Sequence, residues 1–247
     1  VGGMWKIKGE DFLYAVDAVN DLNFKVSYGT QGNASIGNYQ HLGLVSTASK
    51  YMDTGAKVLS QPSNPGLTWE QQALLTVGIN GRFFNMLDVN IEFYNRTTTD
   101  MLMDVPYNYT TGFSSLKANV GSLSNRGVDI TLGVDILRGR DYWLRASTTF
   151  NYNDEKVTGL FNGLDRWEMT GYGLAYVVGK PVMFYAPIYA GIDPADGAPM
   201  WYLPGENVDE TTMNETTKVF DEAGLTQNTG KRYTPPIYGG FSIGGGW

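Results

Sequence analysis

The chain has 247 residues, a net charge of −7 and no cysteine, which is enough sequence for one large domain or two small ones. The acidic balance argues against a nucleic-acid-binding protein, because such proteins need a basic face for phosphates. The lack of cysteine excludes disulfide scaffolds, thiolate zinc sites and cysteine nucleophiles, and the single histidine, His41, excludes multi-histidine metal sites.

The first structured segment has a helical pattern. Within 8–20, the apolar residues Phe12, Leu13, Val16 and Val19 recur at helical spacing. This pattern predicts a short helix or turn before the first strand.

After it, apolar and polar residues alternate with a period of two in five segments and more weakly in a sixth. Successive side chains on a strand point to opposite faces, so each segment is predicted to be a strand with one apolar and one polar face. The five are 22–29, 75–83, 87–96, 128–136 and 142–152, and the weaker one is 237–247.

The links between these strands alternate between short and long. Residues 85–86 and 138–141 make tight turns, whereas 30–68, 97–124 and 153–236 are long loops. Aromatic residues cluster near the strand ends, as at membrane interfaces. Both features are typical of an outer-membrane β-barrel with periplasmic turns and extracellular loops. A soluble β-sandwich, such as an extracellular adhesin or glycan-binding module, has the same alternation and is the alternative.

Six sequence runs carry a family resemblance, in a constant order along nearly the whole chain. One run combines 67–70 with 93–102 and is similar to "LxWE … G … YYNKxTxDxL". The others are Trp5 with 10–13 ("W…EDFL"), 27–33 ("SYGxxGN"), 119–129 ("NxGxxxNxGxE", with Asp129 in place of Glu), 191–197 ("GVDPxxG") and 236–241 ("PxxxGGF"). Together they resemble the SusC/RagA family of TonB-dependent outer-membrane transporters.

The resemblance implies an all-β fold, an antiparallel transmembrane β-barrel segment with long extracellular loops. Family members have an N-terminal plug and a barrel of about 22 strands. The predicted strands are too few to close a barrel, and an open sheet edge cannot face lipid. We therefore expect residues 1–247 to form part of the second half of the barrel domain, with the plug and remaining strands outside this chain.

In such a barrel, the polar strand faces line the lumen and the apolar faces contact lipid. The charged residues predicted to face the lumen are Asp88, Glu92, Arg96, Asp129, Asp135 and Arg145. The residues predicted to face lipid are Val89, Ile91, Ile130, Leu132 and Val134.

The loops contain aromatic residues that are expected to be exposed and could stack on a sugar ring or a peptide side chain. These candidates for substrate or partner contact are Tyr107, Tyr109, Trp167, Tyr172, Tyr176, Trp201 and Tyr202. The resemblance implies TonB-dependent import of glycan or peptide oligomers across a bacterial outer membrane. It also implies a SusD-like surface lipoprotein and the TonB complex as partners.

Motifs for other chemistry are weak. The segment 193–197 (DPADG) could be a calcium turn, but it lacks the ligand number of an EF-hand and is better explained as an Asp-Pro turn. No spacing among the acidic residues singles out a hydrolase pair. The sequence therefore predicts a transporter segment without catalytic residues, cofactor or metal.

Overall fold

The computed structural model describes residues 1–51, 54–169, 171, 173–211 and 213–247. Strands β1–β18 run, in chain order, over Gly2–Lys6, Val19–Asn33, Leu44–Tyr51, Thr54–Gln61, Glu70–Phe83, Leu87–Thr99, Leu102–Pro106, Ser115–Asn119, Gly121–Arg138, Trp143–Leu160, Arg166–Met169, Leu174–Val177, Met183–Ala186, Ile188–Ile192, Pro199–Tyr202, Thr216–Thr217, Gln227–Arg232 and Ile237–Gly246. Helices α1 and α2 are Asp11–Tyr14 and Glu222–Leu225, and 3-10 turns lie at Ile7–Gly9, Tyr109–Thr111 and Phe161–Gly163.

Seven of the described strands form one antiparallel sheet in the order β1-β2-β5-β6-β9-β10-β18. All six predicted strands are confirmed within it, and most extend further toward the long loops than predicted. The sheet is open, because β1 and β18 each pair with one neighbour among the described strands. The antiparallel barrel segment predicted from the sequence is therefore what the chain forms.

The strand register places apolar side chains on one face of the sheet. We call each set of residues that lie opposite one another across the strands a rung. Four successive rungs on this face are predominantly apolar, and one of them contains Phe24, Ile79, Ile91, Ile130 and Phe150. The next rung is polar, with Asn95, Arg126 and Asp154. The apolar band thus ends toward the long loops.

Nothing among the described residues covers this apolar face. Phe93 is 57 % exposed and Phe241 is 72 % exposed, although both lie within the apolar band. In a β-sandwich a second sheet would pack about 10 Å away and bury these side chains. The sandwich alternative is therefore wrong for this chain.

The two ends of the sheet differ, as the loop lengths predicted. The β5–β6 and β9–β10 turns lie at one end, and the long connections lie at the other. The long connections are not irregular throughout, because they contain the hairpins β3–β4 and β7–β8 and a four-stranded and a three-stranded sheet formed by β11–β17.

The short helix predicted within 8–20 is confirmed, although it follows strand β1 and so does not precede the first strand. Helix α1 has four residues, and Phe12 on it is 66 % exposed. The Lys8 ammonium donates hydrogen bonds to the carbonyl oxygens of Leu13, Tyr14 and Val16, at 3.0, 3.2 and 2.8 Å. These bonds satisfy the carbonyls that a longer helix would use, so the chain turns into β2 instead.

Buried apolar clusters lie at the loop end of the structure. One consists of Val157, Leu174 and Val182, and another of Met101, Val105 and Val120. They fix the hairpins and the loop sheets to the ends of β9 and β10. In the described part of the chain, no helix is long and apolar enough to cross a membrane.

Candidate functional site

The polar face of the main sheet gathers the charged residues predicted from the alternation. Glu92 lies opposite Asp129, and Asp135 lies opposite Arg145. The register places all six predicted residues on this face, namely Asp88, Glu92, Arg96, Asp129, Asp135 and Arg145. That they face a lumen stays a prediction, because the sheet in this chain is open.

Near the short turns, four of the charged side chains form a closed ring of ion pairs. Arg82 contacts Asp88 at 2.9 Å and Asp135 at 2.6 Å. Arg145 contacts the same two carboxylates, each at 2.7 Å. The ring has no net charge and links β5, β6, β9 and β10. The four ion pairs hold these strands together. Because each charge in the ring is already paired, the ring offers little to a charged solute.

A second ion pair lies nearer the middle of the polar face. Lys25 on β2 pairs with Glu92 on β6, and Asn90 also donates to Glu92 at 3.2 Å. The predicted site residues omitted Lys25 and Arg82. The same alternation that placed Glu92 on the polar face also placed these two cations there, and it could have identified them.

Toward the long loops, the polar face forms an open groove of about 320 Å³. The Tyr94 hydroxyl donates to Asn153 Oδ1 at 3.1 Å, and Asn153 Nδ2 donates to Asn125 Oδ1 at 3.2 Å. Gly127 permits this arrangement, because a side chain there would collide with the Tyr94 hydroxyl. The groove is lined by Leu74, Thr76, Glu92, Tyr94, Arg96, Asn125, Asp129, Asn151, Asn153, Thr234 and Tyr238.

The aromatic residues proposed from the loops occupy different environments. Tyr109 is 81 % exposed and Tyr107 is 40 % exposed. Trp167 differs from the expectation of exposure, since it is 8 % exposed and packs between the rings of Phe161 and Tyr176. Its neighbours already cover the faces that a sugar would use.

Trp201 and Tyr202, two further loop aromatic residues, are partly covered. The Trp201 ring lies 4.9 Å from the Phe220 ring, centroid to centroid. The Tyr202 carbonyl accepts a hydrogen bond from the buried Gln227 at 2.8 Å. Tyr172 lies outside the described residues. Contact of any of these aromatic residues with substrate or partner stays a prediction.

An ionic network that the sequence did not suggest fixes the loop before β16. The Tyr185 hydroxyl donates to Asp209 Oδ1 at 2.7 Å, and Arg166 pairs with the same carboxylate. The Arg166 guanidinium also lies 4.8 Å above the Tyr185 ring centre. Burial of the phenol and its bond to Asp209 raise the pKa of Tyr185 well above its ordinary value. The phenol therefore remains a donor throughout the physiological range.

The DPADG segment is held by a lysine. Lys218 contacts Asp193 at 2.5 Å and Asp196 at 2.8 Å. The hydrogen bonds from Lys218, with smaller ones from backbone N–H groups, lower the pKa of both carboxyls. The turn closes as Asp-Pro turns do, with the Ala195 N–H donating to Asp193 Oδ1 at 2.8 Å. Within the described ranges, no group of three acidic or histidine residues is placed to hold a metal ion.

Comparison with known proteins places this fold in a family. Residues 3–236 match the family model described as "TonB dependent receptor-like, beta-barrel". The chain is 32 % identical over 169 residues to TonB-dependent receptor P39 of Formosa agariphila, covering 68 % of this chain and 16 % of that protein. It is 29 % identical over 171 residues to TonB-dependent receptor SusC of Bacteroides thetaiotaomicron, covering 65 % and 17 %.

Solved structures of the RagAB peptide importer match the whole chain. In the closed-closed state, the matching RagAB chain is 41 % identical with a TM-score of 0.89, and 27 % of that chain is covered. In the open-open state the values are 40 %, 0.87 and 26 %. The matched part of the chain thus covers about a sixth of the length of these two curated relatives, and the chain covers about a quarter of the RagAB chain. It belongs to the family of TonB-dependent receptor β-barrels.

Proposed function

We propose that the protein containing this chain imports nutrient oligomers, peptides or glycans, across the bacterial outer membrane in a TonB-dependent manner. The observation that supports this most directly is the division of one sheet into two faces. One face is an uncovered apolar band that fits lipid, and the other is a charged face with an open groove. The 41 % identity with a RagAB peptide importer chain over the whole length adds to this.

In this function, residues 1–247 are one part of the barrel wall. The plug and the contact with the TonB complex belong to other parts of the protein. The segments with Tyr107 and Tyr109 lie at the loop end, where a SusD-like lipoprotein would cover the entrance. The mechanism is gated transport, in which the wall binds solute with side chains on the polar face and makes no covalent bond to it.

The experiment uses the full-length protein in its native cells. Uptake of a fluorescent pool of short peptides and a matched pool of oligosaccharides is measured with TonB intact and with TonB deleted. We expect uptake of one pool to require both this protein and TonB. If cells that lack this protein take up both pools as fast as unmodified cells do, the proposal is contradicted.

A further inference from the structure

The groove on the polar face is organised in three successive rungs. The rung nearest the loops contains Arg96 opposite Asn125, and the next contains Tyr94, Gly127 and Asn153. The third contains Glu92, Asp129 and Asn151. The middle rung is satisfied internally by the bonds from Tyr94 to Asn153 and from Asn153 to Asn125. Unused hydrogen-bonding groups therefore lie at the two ends of the groove.

The end near the loops presents donors. The exposed Arg96 guanidinium makes no hydrogen bond or ion pair with another described residue. Asn125 uses its Oδ1 to accept from Asn153, and its Nδ2 has no acceptor within the described part of the chain. Glu155 on β10 lies opposite Asn125. Its carboxylate accepts a hydrogen bond from the backbone N–H of Val182 at 3.2 Å and not from Asn125 Nδ2. A planar guanidinium beside an amide N–H is the arrangement that binds a carboxylate.

The other end presents acceptors and one uncompensated negative charge. Glu92 is neutralised by Lys25. Asp129 has an amide partner, Asn151, but no cation among the described residues. Asn151 is 9 % exposed, and its Oδ1 has no hydrogen-bond partner among the residues that the structure describes. A buried acceptor without a donor is costly, and a bound ammonium group would supply the missing donor.

The distance between the two ends sets the length of the ligand. Positions 96 and 92 are four residues apart on β6. At about 3.3 Å per residue, the rungs at the two ends are about 13 Å apart. An extended peptide of about four or five residues has its terminal carboxylate and ammonium at a comparable separation.

We propose that this groove is a subsite for short peptides with free termini, with Arg96 and Asn125 binding the carboxylate and Asp129 and Asn151 binding the ammonium. A neutral glycan would leave both charges unpaired, so charge complementarity favours the peptide. The inference rests on the proposed transport function and specifies the substrate class for it.

The test measures equilibrium binding to the full-length transporter, purified with its surface lipoprotein. The probes are one pool of synthetic tetrapeptides and pentapeptides in three forms, with free termini, with a C-terminal amide and with an N-terminal acetyl group. We expect amidation to weaken binding about tenfold, because it removes a charge-assisted bond. Arg96→Gln should weaken binding of the free peptides by a similar factor and abolish the difference between free and amidated peptides.

A matched control exists on the neighbouring strand. Arg126 lies opposite Asn95 on the other face of the sheet and donates to Asn95 Oδ1 at 3.3 Å. Arg126→Gln removes the same charge beside the groove but outside it, so it should retain full discrimination against the amide. Asp129→Asn should abolish the effect of N-acetylation while keeping that of amidation.

The outcomes separate this inference from the function on which it rests. Equal binding of free and amidated peptides by the unmodified transporter would overturn the subsite, as would full discrimination by Arg96→Gln. TonB-dependent uptake of oligosaccharides without peptide binding would keep the transport function and overturn the peptide subsite. If Arg96→Gln fails to assemble, Asn125→Asp, which places a negative charge opposite Arg96, is measured in its place. It should abolish the preference for the free carboxylate over the amide, and full discrimination by this variant would overturn the subsite.

Discussion

Placing an arginine on the apolar face of the main sheet should prevent assembly of the barrel. Ile91 lies on the third of the four apolar rungs, counted from the short turns, and its neighbours Ile79 and Ile130 continue the rung. The four rungs span roughly 20 Å along the strands, so Ile91 lies near the middle of the apolar band, which in the proposed transporter is the hydrocarbon region. A charged side chain there has no water or protein partner, since nothing described covers this face.

The expected magnitude follows from that depth. An arginine near the midplane on the lipid face costs about 2–4 kcal/mol, which corresponds to about 30- to 900-fold in the folding equilibrium. Total stabilities are typically about 5–15 kcal/mol, so the loss is a large fraction. Ile91→Arg in the full-length protein should therefore strongly reduce the amount of folded protein in the outer membrane, and Leu132→Arg should act in the same way.

Asn90→Arg is the matched control, because Asn90 is the adjacent residue and points to the polar face beside Glu92. Its effect should stay near the ±0.5 kcal/mol typical of surface substitutions. The assay compares outer-membrane protein levels and urea unfolding midpoints in lipid vesicles. Normal assembly of Ile91→Arg, or a larger loss in Asn90→Arg, would refute the assignment of the two faces.

Three further predictions concern the ionic groups. Asp135→Asn removes one carboxylate from the closed ring of ion pairs and should lower the unfolding temperature of the barrel. Asp104→Asn, which breaks an exposed ion pair in a loop, should leave that temperature unchanged. Equal shifts in the unfolding temperature of the two variants would contradict a strand-linking role for the ring. Because the pKa of Asp193 is lowered in the folded loop, the stability from its pair with Lys218 is present above the ordinary carboxyl range and lost as the pH falls through the lowered pKa. The protection factors for amide hydrogen exchange across 193–198, which correct for the intrinsic effect of pH on exchange, should therefore fall in acid. Lys218→Gln should lower them at neutral pH already, and unchanged protection in that variant would count against the clamp. Tyr185→Phe removes a donor to a carboxylate, worth about 1.5–3 kcal/mol, and should speed limited proteolysis within 203–211 if that bond fixes the loop.

The strands of the main sheet could be predicted where they cross the apolar band, because the same physical constraint acts on each residue there. An apolar face on one side and a polar face on the other force alternation, as in 87–96 and 128–136. The constraint ends where the strands leave the apolar band. Strand β9 begins at Gly121 rather than at 128, because its first residues, including Asn125 and Arg126, lie beyond that band and show no alternation.

The loop strands and the site contacts depend on tertiary partners that the sequence does not show. Strand β1 has no alternation and is defined by its pairing with β2. Trp167 looked exposed because it lies in a long loop, but Phe161 and Tyr176 bury it. The alternation placed Arg96 on the polar face. Arg96 has no ion-pair partner in the described part of the chain, whereas Arg82 lies in a ring of ion pairs. This difference depends on distances between strands.

We propose that this chain is part of the wall of an outer-membrane transporter. The most direct test raises an antibody against the chain, fractionates membranes of the source cells and compares the detergent extract on a gel with and without boiling. We predict an outer-membrane band several times larger than 27.2 kDa that shifts on heating, with a surface lipoprotein copurifying. A soluble band near 27.2 kDa that does not shift would contradict the account.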